Sequence, residues 1–172
     1  MTAANALTLF RAVAGIPVFM LLRADQPIIA LAIFVAAALS DALDGFLARR
    51  GGTAGPRGAL LDPLADKVLV VLALAGLSST GHVPAAFAQL VALREGAVAA
   101  LRMIAYRRHA AIDTGIVAKI KTAIELVAIA ILIVGRPPSL LSDAGVALLA
   151  CALVIGIGTL PMYVPRAAGK LT

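Results

Sequence analysis

The sequence predicts an all-α membrane protein of six transmembrane helices, and three observations carry that reading. First, 62% of the 172 residues are hydrophobic, only 14% are charged, and mean hydropathy is +1.02, far from soluble domains. Second, the apolar residues fall in continuous runs bounded by charge, Gly or Pro, near residues 8–23, 27–49, 58–80, 84–106, 116–134 and 140–163. Each is close to the roughly 20 residues a helix needs to cross a hydrocarbon core about 30 Å thick. Third, the basic residues are unevenly distributed. With both termini on the cytoplasmic side, Arg11, Arg49, Arg50, Arg57, Arg102, Arg107, Arg108, Lys119, Lys121, Arg166 and Lys170 share that side, and only Arg23 and Arg136 lie opposite, as the positive-inside rule requires.

The runs are helices because lipid leaves only helices and closed barrels able to satisfy the backbone, and these runs do not alternate as barrel strands do. The spans occupy so much of the chain that residues 1–172 read as one integral-membrane domain. The start is too lightly charged, and lacks the small-residue cleavage site, for a removable signal peptide. Gly51, Gly52, Gly55 and Pro56 mark the turn between spans two and three, which pairs those helices antiparallel. Cys151 is the only cysteine, so one chain can build neither a disulfide nor a thiolate metal site. In a soluble protein the net charge of +6 would suggest nucleic acid. Here the basic residues flank apolar spans and stacking aromatics are scarce, so anionic membrane lipid is the expected partner.

Four of the nine acids, Asp41, Asp44, Asp62 and Asp66, interrupt apolar runs. On a helix Asp41, Asp44, Gly45 and Ala48 share one stripe, and Gly58, Asp62 and Asp66 share another. Carboxylates in such runs cost several kcal/mol each unless compensated, and a divalent cation compensates them most simply. Oxygen ligands without Cys or His favour Mg²⁺, Mn²⁺ or Ca²⁺ over Zn²⁺, and several carboxylates can hold two ions about 3.5–4 Å apart, an arrangement suited to phosphoryl transfer. Gly45, Ala48 and Gly58 leave room for a ligand to approach the helix backbones. The spacing alone also permits a proton or cation pathway in a small transporter.

Together, Asp41-x2-Asp44-Gly45-x2-Ala48-Arg49-x8-Gly58-x3-Asp62-x3-Asp66 resembles the signature of the CDP-alcohol phosphotransferase family at every fixed position. The resemblance implies that family's fold of six transmembrane helices, a homodimer, and attack of an alcohol on the lipid-proximal phosphate of a CDP-linked lipid with release of CMP. It implies two Mg²⁺ or Mn²⁺ ions held chiefly by Asp41, Asp44 and Asp62. Asp66 would be the base for the acceptor hydroxyl and a further metal contact. Nucleotide-binding positions would be Gly45, Ala48, Arg49 and Gly58, joined by Asn5 and Thr8.

Asn5, Leu7, Thr8 and Arg11, the run Asp62-Pro-Leu-Ala-Asp-Lys67, Arg94-Glu95 before Leu101-Arg102, and Lys119-x-Lys121-Thr122 are similar to the bacterial phosphatidylglycerophosphate synthase branch. Ala118 and Glu125 depart from it, standing where that branch usually has Gly and Gln. By this resemblance the donor is CDP-diacylglycerol, the acceptor is glycerol 3-phosphate, and Arg102, Arg107, Arg108, Lys119 and Lys121 bind the acceptor phosphate at the cytoplasmic face of a plasma membrane. Inositol phosphate, phosphatidylglycerol and serine are the other acceptors in view. Plain positive-inside topology would also account for the basic loop residues. Arg94, Glu95 and Arg102 lie in or near a span, where charge calls for a site or an ion-pair partner. Lys67 has two readings, reaching the interface or neutralising the aspartates.

Overall fold

The computed structural model describes residues 3–51, 58–107 and 115–167, with the backbone alone described for 3–9, 12, 41–51, 58–66, 106 and 162–167. The described residues form six helices and no strand. They are α1 (Ala3–Arg23), α2 (Pro27–Gly51), α3 (Gly58–Ser79), α4 (Ala85–Arg107), α5 (Ile116–Val134) and α6 (Leu140–Ala167). The apolar runs predicted each of them. The larger differences are at the ends: α1 begins at Ala3 and α6 continues to Ala167, because a helix does not stop where its residues cease to be apolar. Asn5 and Thr8 accordingly lie inside α1.

Local chemistry sets the breaks. Proline opens α2 at Pro27, where a missing N–H costs nothing. Two helices end in the same way. After α3, Gly81 takes φ 79°, the His82 N–H donates to the Leu77 carbonyl at 2.9 Å, and the Gly81 N–H donates to Ser78 at 3.1 Å. After α1, Asp25 takes φ 56°, the Gln26 N–H donates to Leu21 at 2.9 Å and the Asp25 N–H to Leu22 at 3.2 Å. Both are Schellman closures, which need a left-handed residue. Asp25 also accepts from Arg136 at 2.6 Å, placing the α1–α2 and α5–α6 turns at one end of the bundle. Both side chains are exposed, so the pair marks topology more than it stabilises.

In space the helices close a ring in the order α1, α3, α4, α6, α5, α2, and α1 packs most extensively on α3. Two glycines make that approach close. A Cβ on Gly15 would lie 2.7 Å from Leu72 Cδ1, and one on Gly76 would lie 2.8 Å from Leu22 Cδ1. Each helix thus receives the other's leucine, as small residues permit in membrane bundles. Gly145 admits Leu132 between α5 and α6 in the same manner. The expected α2–α3 pair is not the main contact. These helices are consecutive but touch little, and α1 packs along both, because a short turn fixes which ends meet and not which faces pack.

Among the described residues an apolar cluster, including Val18, Phe34, Leu69, Leu77, Ile129 and Leu132, forms the core. Large apolar side chains also lie outside on every helix, among them Met20, Ile28, Val68, Leu93, Val127 and Val154, while Arg11, Arg94, Glu95, Lys121 and Glu125 are buried. Among the described residues only Leu140–Pro161 is long and apolar enough by itself to cross a membrane; Val13–Arg23, Pro27–Ser40 and Lys67–Ser79 are shorter apolar segments.

Candidate active site

The eight signature positions fall on two helices. Asp41, Asp44, Gly45, Ala48 and Arg49 lie in α2, and Gly58, Asp62 and Asp66 lie in α3, with Gly58 its first residue. Continuous helix through both segments puts Asp41 and Asp44 on successive turns, and likewise Asp62 and Asp66. Their side chains, with those of Asn5 and Thr8, lie outside the described ones, as does the whole of Arg108.

One residue beyond Asp66 the side chains are described, and they form a buried ionic junction. Glu95, on α4, lies at its centre and is fully buried. Its Oε2 pairs with Lys67 of α3, and its Oε1 pairs with Lys121 of α5. Arg94 Nη1 donates to the same Oε1 at 2.5 Å. Lys121 Nζ also donates to Glu125 Oε2, one turn along α5, at 2.7 Å. The Arg94 guanidinium continues to α6, where Nη2 donates to the Gly156 carbonyl at 3.1 Å and to Thr159 Oγ1 at 3.4 Å. A Cβ at position 156 would lie 2.7 Å from Arg94 Nε, so glycine makes the space for the guanidinium.

Five charged side chains therefore join α3, α4, α5 and α6. Buried charges of this kind are costly alone and persist when each faces a partner. Three cations and two carboxylates share the junction, and Glu95 is the group common to Lys67, Arg94 and Lys121.

The structure separates the expected acceptor residues. Lys121 is 2% exposed and belongs to the junction, whereas Lys119 is exposed, since positions two apart on a helix do not share a face. Arg102 is half-buried in α4 and Arg107 is exposed at its end. Of the residues singled out in sequence, the described side chains bring Lys121 together with Lys67, Glu95 and Arg94.

Sequence reasoning left Gly156, Thr159 and Glu125 out of the site. Glu125 carried a signal, four residues after Lys121 on one helix. Gly156 and Thr159 carried none, because their role is to receive a side chain from another helix.

A buried ionic junction in a helix bundle that also turns large apolar side chains outward is the makeup of a helical membrane protein with chemistry inside its bundle. The chain belongs to the CDP-alcohol phosphatidyltransferase family, which matches it over residues 1–158, and the family makes it an enzyme of that type. It is 37% identical over 171 residues to a probable phosphatidylglycerophosphate synthase of Mycobacterium tuberculosis, covering 95% of this chain and 80% of that one. It is 37% identical over 173 residues to a CDP-diacylglycerol–glycerol-3-phosphate 3-phosphatidyltransferase of Salmonella typhimurium, covering 96% and 94%. To the Escherichia coli protein of the same name it is 36% identical over 174 residues, with the same coverage.

Proposed function

We propose that this protein is a CDP-diacylglycerol–glycerol-3-phosphate 3-phosphatidyltransferase, acting as a multi-pass homodimer in the plasma membrane with its site open to the cytoplasm. The observation that carries the reading is the complete aspartate signature on α2 and α3 in a chain whose near-full-length relatives bear that name.

The donor set fits a hard divalent cation. Every signature acid is a carboxylate, the acids stand on successive turns of helices, and neither Cys nor His occurs among them. Asp41, Asp44 and Asp62 would hold two Mg²⁺ or Mn²⁺ ions, and Asp66 would add a contact. When bound, the ions would offset negative charge on the donor's pyrophosphate.

The chain's own residues supply the remainder. Gly45, Ala48 and Gly58 leave room for the nucleotide beside the helix backbones, and Arg49, Asn5 and Thr8 contribute polar contacts. Asp66 accepts the proton of the acceptor hydroxyl as that oxygen bonds to the lipid-proximal phosphorus. The P–O bond to CMP breaks, and CMP leaves with the bridging oxygen. Lys121, with Arg102, Arg107 and Arg108, binds the acceptor phosphate, which must supply most of the affinity of a substrate without acyl chains, and Lys119, on another face of α5, adds its charge from outside the junction.

The test offers purified protein CDP-diacylglycerol, Mg²⁺ and, separately, glycerol 3-phosphate, inositol phosphate, phosphatidylglycerol and serine. Release of CMP with glycerol 3-phosphate above the others supports the reading. Preference for another alcohol reassigns the acceptor and keeps the family chemistry.

A further inference from the structure

Lys67 follows Asp66 in α3, so a group that fixes Lys67 also fixes the rotation of α3 at the turn bearing the last signature aspartate. Lys121 is the buried member of the acceptor set. These lysines come from helices far apart in sequence, yet one carboxylate holds both, Lys67 on Oε2 and Lys121 on Oε1 of Glu95. Glu95 itself has little freedom, since it is fully buried and Arg94 grips its Oε1 at 2.5 Å while anchored to α6 through the Gly156 carbonyl at 3.1 Å. Glu125 also reaches Lys121 at 2.7 Å, so Lys121 keeps a carboxylate partner without Glu95, but nothing in that pair ties it to α3.

We propose that Glu95 is a positioning residue: it sets the acceptor-side Lys121 relative to the aspartate turn of α3 by holding Lys121 and Lys67 on its two oxygens. The proposal rests on the functional reading above and deepens it. A carboxylate that only neutralised buried cations would affect folding, whereas one that sets a distance affects the substrate that must be placed between the two ends. Glycerol 3-phosphate must bring its hydroxyl to Asp66 while its phosphate is held by the basic residues. The donor lipid does not depend on that span.

The test is Glu95→Gln in the full-length protein, assayed per folded molecule in detergent, with each substrate varied at saturating concentration of the other. The expected result is a fall of about tenfold or more in kcat/KM for glycerol 3-phosphate, with the KM for CDP-diacylglycerol within about twofold of wild type. In a Lys121→Gln background, Glu95→Gln should add little further loss, because the residue it acts through is gone. Wild-type kinetics with only a lowered Tm, equal losses toward both substrates, or full additivity with Lys121→Gln would each overturn the proposal. If Glu95→Gln does not fold, Lys67→Met/Glu95→Gln removes one charge of each sign and is compared with Lys67→Met. Lys67→Met alone should then show the loss confined to glycerol 3-phosphate, with Glu95→Gln adding little to it because the tie to α3 is already gone; wild-type glycerol 3-phosphate kinetics in Lys67→Met, or a full further loss on adding Glu95→Gln, overturns positioning. Wild-type protein that releases no CMP with glycerol 3-phosphate would overturn the functional reading and this proposal together, whereas wild-type turnover with unaffected Glu95 variants would overturn the positioning role alone.

Discussion

At the scale of single residues, chemically similar side chains should fail in different ways. Asp41→Asn, Asp44→Asn and Asp62→Asn should each weaken metal binding and abolish turnover while the protein still folds, since an amide relieves carboxylate repulsion in the metal-free state. Metal titration of each purified variant beside its turnover checks this, and wild-type turnover in any of them removes that residue from the ligand set. Asp66→Asn should lower turnover more than CDP-diacylglycerol binding, because a base is needed at the proton transfer; parallel loss of binding would make it chiefly a ligand. Replacing Lys119 and Lys121 together by Gln should raise the KM for glycerol 3-phosphate much more than that for CDP-diacylglycerol. Each charge-assisted hydrogen bond lost is worth roughly 1.5–3 kcal/mol. Separate substitutions should give Lys121 the larger share, since it is buried and Lys119 exposed. An unchanged constant in the double variant would assign Lys119 to topology and leave Lys121 to the buried junction alone.

At the scale of helices, glycine decides which elements approach. Gly156→Ala would put a methyl group against the Arg94 guanidinium, 2.7 Å from Nε, and should destabilise the protein by about 1–3 kcal/mol. Thermal unfolding in detergent measures it, and an unchanged Tm would mean that Arg94 can leave its place on α6 without cost. The helices themselves were legible in the sequence because lipid forces apolar runs to be helical, with Pro27 and Gly81 punctuating them. The acidic stripes were legible because spacings of three and four repeat on any helix. The partner choices were not legible. Glu95 meets Lys67 through the packing of α4 against α3 and reaches Lys121 of α5 across the ring, and no local spacing encodes that meeting. Only Lys121 with Glu125, four apart on one helix, could be read from the chain. The α1–α3 contact was hidden for a related reason, since Gly15 and Gly76 look like any small residues until Leu72 and Leu22 are seen against them.

At the scale of the molecule, the distribution of polarity is the informative property. A buried ionic junction sits beside the apolar core, inside a ring of helices whose outer faces carry large apolar side chains, which supports chemistry conducted within the bundle at a lipid boundary. Activity should require added Mg²⁺ or Mn²⁺ and vanish with chelator, since the four signature carboxylates of the proposed site would repel a pyrophosphate unless cations intervened. Full turnover in excess EDTA, with no retained metal by elemental analysis, would contradict the two-ion site. The most direct measurement follows label from glycerol 3-phosphate into organic-extractable lipid, in vesicles of purified protein with CDP-diacylglycerol and Mg²⁺, while CMP is counted in the same reaction. The account predicts one labelled lipid for each CMP released and neither product without donor or metal. Label that crosses the vesicle membrane without entering lipid, or CMP released without labelled lipid, would contradict it.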